Sequence, residues 1–287
     1  MIVVTGATGK IGSETVQLLA EPGGPATRAL VRDPSRAPGG SLPAAVDIAV
    51  GDFERTDTLD AAMRGADTVV LISPPVPEHE IAVIDSAARQ GVRHIVKITN
   101  HKASESSPVD RRRDHARIEA HLKASGLGFT LLAPNLLMQN LFAFTPMIKQ
   151  TRGFVMSAGD GQFAMVDSRD VAATAAAVAT APTGHAGRTY LLTGPELITY
   201  ADVAKALTDA LGHEVEYRRV SPTEHRAAMV RAGVPEPVAA SNTQMFGLIA
   251  DGDAAWLSDD VDAVTGTAPR NVRTFIADHL GAFAQES

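Results

Sequence analysis

A glycine-rich turn near the start of the chain limits the folds that this sequence can adopt. Residues 2–5 are the β-branched run Ile-Val-Val-Thr, which predicts a buried strand, and residues 14–19 have helical spacing. The sequence between them includes Gly-Ala-Thr-Gly-Lys-Ile-Gly. A strand, a glycine turn and a helix in this order predict the first unit of a doubly wound parallel α/β sheet that binds a dinucleotide at the turn.

Each glycine of the turn has a physical role in that prediction. Gly6 permits a tight turn after the strand, Gly9 lets the backbone approach a pyrophosphate, and Gly12 lets the helix pack closely on the strand. The start of the helix adds free N–H groups and a partial positive charge for the phosphates. The alternative is an ordinary glycine-rich turn without a ligand. We assign cofactor binding to the whole turn: Gly6, Ala7, Thr8, Gly9, Lys10, Ile11 and Gly12.

The composition argues against several classes of protein. The net charge of −7 disfavours a nucleic-acid partner, and the absence of cysteine removes disulfides, thiolate catalysis and cysteine-based zinc sites. The histidines show no metal-ligand spacing, so we expect no metal. No apolar run reaches about 18 residues, and no basic region precedes an apolar stretch at the N-terminus. We therefore expect a cytoplasmic protein without a membrane partner, and we leave open whether it forms an oligomer.

The loop after the second predicted strand, residues 28–31, bears on the choice of cofactor. In this class of fold that loop faces the adenosine ribose. Arg32 is the first residue after the strand and can bind a 2′-phosphate, which predicts NADP as the preferred cofactor. Asp33 follows directly and can bind a ribose hydroxyl, so NAD is the alternative. A solvated loop arginine without a ligand is a further interpretation.

The carboxyl ends of the strands supply the other cofactor candidates. Four more apolar runs predict strands, at residues 46–50, 68–73, 94–99 and 129–132. Ligands bind outside the carboxyl ends of the strands in open α/β sheets, so residues at these ends are expected to meet the cofactor. We assign to the cofactor site Ile72, Ser73, Pro74, Pro75, Thr99, Pro134 and Asn135.

The regular alternation of strands and helices loosens after Asn135. We expect there a helix over residues 136–149, two short strands at 154–157 and 163–166, and a closing amphipathic helix over 271–283. The chain is therefore divided into a dinucleotide-binding domain, residues 1–135, and a smaller, mostly helical substrate lobe, residues 136–287. We expect this lobe to be interleaved with the sheet and not to form an independent domain.

The spacing of the glycine motif resembles that of a known family. Residues 6–12 follow the pattern G-x-x-G-x-x-G, and with Thr5 before them they resemble the motif of the extended and atypical short-chain dehydrogenases/reductases. A closer similarity, to the NmrA-like branch with its NAD(P)H-dependent quinone reductases, extends to residues 114–140, 166–180 and 187–207. The resemblance implies a Rossmann-type fold. It also implies that Asp52 accepts a hydrogen bond from the adenine amino group and that Phe53 packs on the adenine, whereas a helix N-cap is the alternative for Asp52.

The chain departs from that family at the catalytic position. Short-chain dehydrogenases carry Tyr-x-x-x-Lys on the helix after the fifth strand, but the three tyrosines of this chain all lie much further along. His115 and Glu119 stand at the expected place, on one face of a helix. The resemblance implies that His115 is a proton donor or a hydrogen-bonding partner of the cofactor, and that Asn100 lies in the loop of the family's catalytic serine. A solvated His–Glu pair is the alternative.

The missing tyrosine limits the reactions that the protein is expected to catalyse. Alcohol–ketone interconversion develops a basic alkoxide and needs a positioned acid, whereas quinone reduction yields a stable phenolate that solvent can protonate. We therefore predict an NAD(P)H-dependent oxidoreductase that transfers a hydride to a quinone or polycyclic aromatic substrate, with aromatic polyketide tailoring as one setting. The alternatives are a non-catalytic NAD(P)-sensing regulator of the NmrA-like type and, disfavoured by the missing motif, a sugar-nucleotide epimerase or dehydratase.

An apolar segment rich in methionine and phenylalanine, residues 136–147, suits a flat aromatic substrate. A packed helix between the two parts of the chain is the alternative interpretation. We assign to the substrate site Leu136, Met138, Phe142 and, further along the chain, Trp256.

The glycine turn generates a direct test of cofactor binding. Gly9→Val places a side chain where the pyrophosphate is expected, so the variant should lose dinucleotide binding without unfolding. Calorimetric titration with NADPH measures the affinity, and circular dichroism checks the fold. A folded variant that binds the dinucleotide like the wild type would contradict the assignment.

Overall fold

The computed structural model describes residues 1–33 and 42–284, which form a seven-stranded sheet, a two-stranded sheet and the helices around them. The strands are, in chain order, β1 Ile2–Val4, β2 Thr27–Val31, β3 Asp47–Val50, β4 Thr68–Leu71, β5 His94–Ile98, β6 Gly128–Pro134, β7 Gly153–Met156, β8 Thr189–Leu192 and β9 Glu216–Arg219. The α-helices are α1 Lys10–Leu19, α2 Thr56–Met63, α3 Pro77–Arg89, α4 Asp110–Ala124, α5 Thr145–Thr151, α6 Ser168–Thr180, α7 Tyr200–Leu211, α8 Pro222–Arg231, α9 Glu236–Ala250, α10 Asp260–Thr265, α11 Val272–Asp278 and α12 Leu280–Phe283. Two 3₁₀ helices span Met138–Phe144 and Pro182–His185.

The large sheet is parallel and doubly wound. Its strand order is β3-β2-β1-β4-β5-β6-β8, and every neighbouring pair in it is parallel. The chain order reverses between β1 and β4, so the carboxyl ends of these two strands form the switch point at which such sheets bind ligands. The prediction of a Rossmann-type α/β fold is confirmed.

Continuous apolar runs form the inner strands because helices cover both faces of this sheet. Val3, Val69 and Ile95 are fully buried, in one core with residues from α2, α3 and α4. On the other side, α1 packs against α6. The edge strand β3 is more exposed, and its apolar side chains Ile48 and Val50 are about half accessible to solvent.

The chain divides into two compact units. The first unit combines Met1–Pro134 with Ser168–Leu192 and Asp260–Thr267. The second unit combines Asn135–Asp167 with Thr193–Asp259 and the chain from Ala268. The first unit therefore contains the whole large sheet, and it takes its last strand, β8, from well beyond residue 135.

The second unit differs from the local sequence predictions at residues 136–166. The expected helix over 136–149 is a 3₁₀ helix followed by α5, because Pro146 lacks the N–H that a continuous α-helix needs and instead lies in the first turn of α5. The expected strand at 154–157 is β7, but its partner is β9, in parallel. The run 163–166 makes only two isolated bridges, Phe163 with Ile198 and Val166 with Leu137.

The C-terminal segment also differs from the prediction of one amphipathic helix over 271–283. It is divided at His279 into α11 and α12, and the imidazole Nδ1 of His279 lies 2.8 Å from the carbonyl oxygen of Phe275. A side chain that bonds to the carbonyl four residues earlier competes with the helical pattern. Phe275 and Ile276 are buried as expected, whereas Leu280 is exposed. No helix in the described part of the chain is long and apolar enough to cross a membrane.

The packing of α1 gives a stability prediction with an internal control. A Cβ on Gly12 would lie 2.1 Å from the carbonyl oxygen of Gly6, whereas a Cβ on Gly247, in α9, would meet no described atom within 4 Å. Gly12→Ala should therefore lower the free energy of unfolding by about 1–3 kcal/mol. Gly247→Ala should raise it by about 0.5–1 kcal/mol, because alanine is the better helix former. Urea unfolding measures both, and equal effects of the two substitutions would contradict the packing argument.

Candidate functional site

The turn after β1 is fixed by one threonine and two glycines. Thr5 Oγ1 accepts a hydrogen bond from the backbone N–H of Ile72 (2.8 Å) and donates to the carbonyl of the same residue (2.9 Å), which ties the end of β1 to the chain after β4. Gly6 has a left-handed φ of 59°. Gly9 is extended and stands at the N-cap of α1. Sequence reasoning included both glycines but missed Thr5, whose only signal was its place after an apolar run.

The start of α1 is suited to an anion. Among the described residues no side chain caps this helix start, and its first turn contains no acidic residue. The positive end of the helix dipole is therefore not offset by a carboxylate of the first turn. Gly9 is tightly placed, since a Cβ there would lie 3.2 Å from the carbonyl oxygen of Gly6. Ala7 and Ile11 are buried, so they can offer their backbone to a ligand but not their side chains, while Lys10 is exposed.

A cavity of about 480 Å³ opens at the carboxyl ends of the first four strands. Eight of the residues assigned above to the cofactor line it: Gly6, Thr8, Arg32, Asp52, Phe53, Ile72, Ser73 and Pro74. They come from the turn after β1 and from the segments that follow β2, β3 and β4. The cavity therefore lies at the switch point of the sheet, where a dinucleotide is expected.

The lining of the cavity includes a carboxylate and an aromatic ring that are adjacent in sequence, Asp52 and Phe53. Asp52 Oδ1 accepts a hydrogen bond from the N–H of Glu54 (3.0 Å), which fixes the carboxylate. The alternative of a helix N-cap does not apply to Asp52, because the N-cap of α2 is Arg55. Phe53 meets the ring of His79 edge to face, with the centroids 6.3 Å apart. His79, on α3, also lines the cavity and was not predicted from the sequence.

The other predicted cofactor residues do not line this cavity. In the first unit these are Ala7, Gly9, Lys10, Ile11, Gly12, Pro75, Thr99 and Pro134. Thr99 Oγ1 donates to Glu119 Oε1 (2.6 Å), and Pro134 is the last residue of β6. Asn135 belongs to the second unit, where its Nδ2 donates to the carbonyl of Ala254 (3.0 Å). Contacts between any of these residues and a cofactor stay predictions.

The predicted substrate residues all lie in the second unit. Met138 is fully buried, and Phe142 packs on the rings of Phe275 and Phe283, with centroid distances of 5.4 and 5.8 Å. These two residues therefore serve the core of the second unit. Leu136 is partly buried against that core, and Trp256 is half-buried. A role of these four side chains in substrate binding stays a prediction.

A buried ion pair lies beside the cavity wall, and sequence reasoning missed it. Lys97 Nζ contacts Glu80 Oε2 and donates to the carbonyl of Ile98 (3.1 Å), and both charged side chains are almost completely buried. Glu80 Oε1 accepts a hydrogen bond from Ser73 Oγ (2.9 Å). Burial lowers the pKa of Lys97 and raises that of Glu80, and the opposite charge of the partner counteracts each shift. The sequence feature that could have indicated this ion pair is Lys97 itself, which stands between the apolar residues Val96 and Ile98 of β5.

His115 is buried and uncharged at neutral pH. Burial, followed by the positive charges of Lys97 and Arg111, lowers its pKa to about 3. Its side chain is 6% exposed, and its Nδ1 has no hydrogen-bond partner in the part of the chain that the structure describes. The alternative of a solvated His–Glu pair is therefore wrong. Glu119 instead accepts hydrogen bonds from Thr99 and from Lys123 (3.1 Å).

The other catalytic candidate is Asn100, two residues after the end of β5. Its Oδ1 accepts a hydrogen bond from Arg112 Nε (3.3 Å), which leaves the amide nitrogen as the group that can donate to a ligand. No cluster of three or more histidine, aspartate or glutamate side chains that could hold a metal occurs within residues 1–33 and 42–284.

Comparisons with known proteins agree with these features. Residues 1–275 match the NmrA-like family. The NAD(P)H azoreductase of Xenophilus azovorans is 36% identical over 287 residues, 99% of each chain. A (4-alkanoyl-5-oxo-2,5-dihydrofuran-3-yl)methyl phosphate reductase of Streptomyces griseus is 35% identical over 292 residues, 100% of each chain. The crystal structure of an NADPH-dependent quinone oxidoreductase of Escherichia coli in complex with NADPH is similar with a TM-score of 0.89 and 28% identity, over 98% of this chain and 100% of that one.

The state of His115 predicts how acid affects the fold. Its pKa is about 3 in the folded chain against an ordinary value of 6.5, so the unfolded chain binds the proton more readily. The stability that the neutral imidazole contributes is complete above pH 6.5 and is lost as the pH falls toward 3. Between pH 7 and pH 5 the wild type should lose about 2 kcal/mol more unfolding free energy than His115→Met. Urea unfolding of both proteins at pH 7 and pH 5 measures these losses. An equal loss of unfolding free energy in the wild type and in His115→Met would contradict the lowered pKa of His115.

Proposed function

The chain belongs to the NmrA-like family, and from this premise we propose that it is an NAD(P)H-dependent oxidoreductase that reduces quinones or related conjugated aromatic compounds. The observation that carries the proposal is the cavity at the switch point, which brings Gly6 and Thr8 of the glycine turn together with Arg32, Asp52 and Phe53. The activities of similar proteins support it, since these include an azoreductase and a quinone oxidoreductase.

The residues that line the cavity, and the helix start next to them, fit a dinucleotide. The start of α1 follows the cavity residues Gly6 and Thr8 and has no acidic residue in its first turn, which suits a pyrophosphate. Asp52 can accept from the adenine amino group, and Phe53 offers a ring face. Arg32 lines the cavity and can bind a 2′-phosphate bidentately, which supports NADPH over NADH. When bound, the reduced nicotinamide supplies the hydride of the reaction.

The residues at the family's catalytic position, His115 and Glu119, suit a substrate that needs little help from an acid. A histidine with a pKa of about 3 is neutral at physiological pH, so His115 does not supply a proton as an imidazolium. Glu119 stands where the family carries lysine, and it is held by Thr99 and Lys123. Reduction of a quinone gives a phenolate, which solvent protonates readily. We infer that the missing tyrosine selects for such acceptors over simple ketones.

The two alternative functions are less well supported. Three relatives that are 32–36% identical to this chain are named as reductases or as an oxidoreductase, which argues against a purely sensing role and against an epimerase or dehydratase. A setting in aromatic polyketide tailoring and a cytoplasmic location stay predictions.

The proposal is tested by following the absorbance of the reduced nicotinamide with a panel of quinones and azo dyes. We expect NADPH oxidation with at least one quinone and none in Gly9→Val, the variant expected not to bind the dinucleotide. Tight NADPH binding without turnover over the whole panel would overturn the enzymatic function in favour of the sensor.

Arg32 gives a prediction about cofactor choice. Arg32→Ala should weaken NADPH binding by about 1.5–3 kcal/mol, the range for a hydrogen bond to a charged group, and leave NADH binding nearly unchanged. Arg55→Ala is a matched control, because Arg55 is exposed, pairs with Asp57 and does not line the cavity. Titration of each variant with both dinucleotides measures the effect. Equal losses for NADPH and NADH would contradict a 2′-phosphate contact.

His115 gives a prediction about the proton. A positioned acid contributes about 10²–10⁴-fold to a rate, so its loss would be large if His115 were the donor. Because His115 is buried and neutral, we expect His115→Met to retain most of kcat with a quinone. A hundredfold loss of kcat with unchanged cofactor affinity would contradict this expectation and identify His115 as the proton donor.

A further inference from the structure

We infer that Glu80 and Lys97 form a positioning pair that orients the hydroxyl of Ser73, so that Ser73 presents a hydrogen-bond acceptor to the dinucleotide in the cavity. The inference rests on the proposed function, because it assumes that the cavity holds NADPH. Neither Glu80 nor Lys97 lines the cavity, and both would act through Ser73, which does.

The hydrogen bond of Ser73 determines what its hydroxyl can offer. Ser73 Oγ donates its one hydrogen to Glu80 Oε1, at 2.9 Å. A serine hydroxyl has a single hydrogen and two acceptor lone pairs, so only lone pairs remain for another partner. Because Ser73 lines the cavity, it can accept from a donor group of a bound dinucleotide but cannot donate to it.

This direction holds only while Glu80 is ionised, since an ionised carboxylate accepts and does not donate. The Glu80 side chain is 1% exposed, and burial alone raises its pKa. Lys97 Nζ contacts the second carboxylate oxygen and stabilises the charged form. Glu119 also favours the charged form of Lys97. The nearby His115 is neutral and adds no charge.

The fold brings the three side chains together from separate elements. Lys97 lies on β5 in register with Leu71 of β4, and Ser73 follows β4 by two residues. Glu80 comes from α3, whose first residue is Pro77. The arrangement thus links the chain after β4 to the neighbouring strand and to the next helix, directly behind the cavity wall.

A contribution to folding stability does not by itself explain why the buried pair Glu80–Lys97 is present. Removing two charges from water costs several kcal/mol per ion, and replacing a buried ion pair by apolar residues is often neutral or stabilising. Lys97 and Glu80 are 0% and 1% exposed, so this cost is not avoided by partial solvation. A role in directing a hydroxyl at the edge of the cavity gives a functional reason for the charges.

The test is a double-mutant cycle on NADPH affinity. In Glu80→Gln the carbonyl of the new amide takes the hydrogen bond of Lys97, which leaves the NH₂ group facing Ser73. The Ser73 hydroxyl must then turn its hydrogen toward the cavity. We expect the Kd of NADPH, measured by calorimetric titration, to rise about 3- to 10-fold in Glu80→Gln and in Ser73→Ala, as for the loss of one hydrogen bond. The combined variant should bind no more weakly than Ser73→Ala.

A second variant separates orientation from folding. Lys97→Met together with Glu80→Leu removes both charges, so the protein should be about as stable as the wild type, yet Ser73 loses its acceptor. We expect the same 3- to 10-fold rise in Kd in this variant, and no further rise when Ser73→Ala is added. Thr130→Val is the control, because it removes two other hydrogen bonds of the first unit, with His94 and with the carbonyl of His185, and should leave Kd unchanged.

Two results would overturn the inference. One is an unchanged Kd in Glu80→Gln and in the Lys97→Met, Glu80→Leu variant, and the other is an effect of Glu80→Gln that adds fully to that of Ser73→Ala. Both results assume that the wild type binds NADPH. Absence of binding by the wild type would overturn the proposed function and this inference with it, so the two failures can be told apart.

Discussion

The close approach of α1 to the turn after β1 is the contact on which the candidate site depends. The carbonyl of Gly6 lies where a side chain on residue 12 would have to be, so glycine at that position lets the helix begin directly beside the strand. Gly6 itself adopts a backbone conformation that few other residues tolerate. Because of these two features, the uncapped start of α1 lies at the switch point of the sheet, and the cavity opens there.

The burial of Lys97, Glu80 and His115 explains their charge states. Burial makes a charge costly, so Lys97 and Glu80 are found as a contacting pair, whereas His115 is neutral. A region of this kind offers oriented hydrogen bonds more readily than mobile protons. That property agrees with hydride chemistry on acceptors whose reduced form is already a stable anion.

The sheet could be predicted from the sequence because its inner strands are buried on both faces, which produces short apolar runs separated by helices. The position of the cavity could also be predicted, because the glycine motif beside it is contiguous in the sequence. Residues 136–166 were harder, because β7 pairs with β9, about sixty residues away, and no local pattern reveals such a partner. Glu80, Lys97 and His79 were missed because their roles depend on contacts between separate elements.

The large sheet takes its last strand from a late part of the chain, and this has a consequence for synthesis on the ribosome. β6 ends at Pro134, but the strand that pairs with it, β8, begins only at Thr189. The backbone N–H of Leu191 in β8 is in turn bonded to Asp260 (2.7 Å), which emerges later still. During translation the edge of β6 therefore stays unpaired until β8 has been synthesised. In that interval the backbone N–H and C=O groups of β6 can pair with other strands. The nascent chain completes this sheet only after most of its length has been made, so the slow, long-range closure falls at the end of folding.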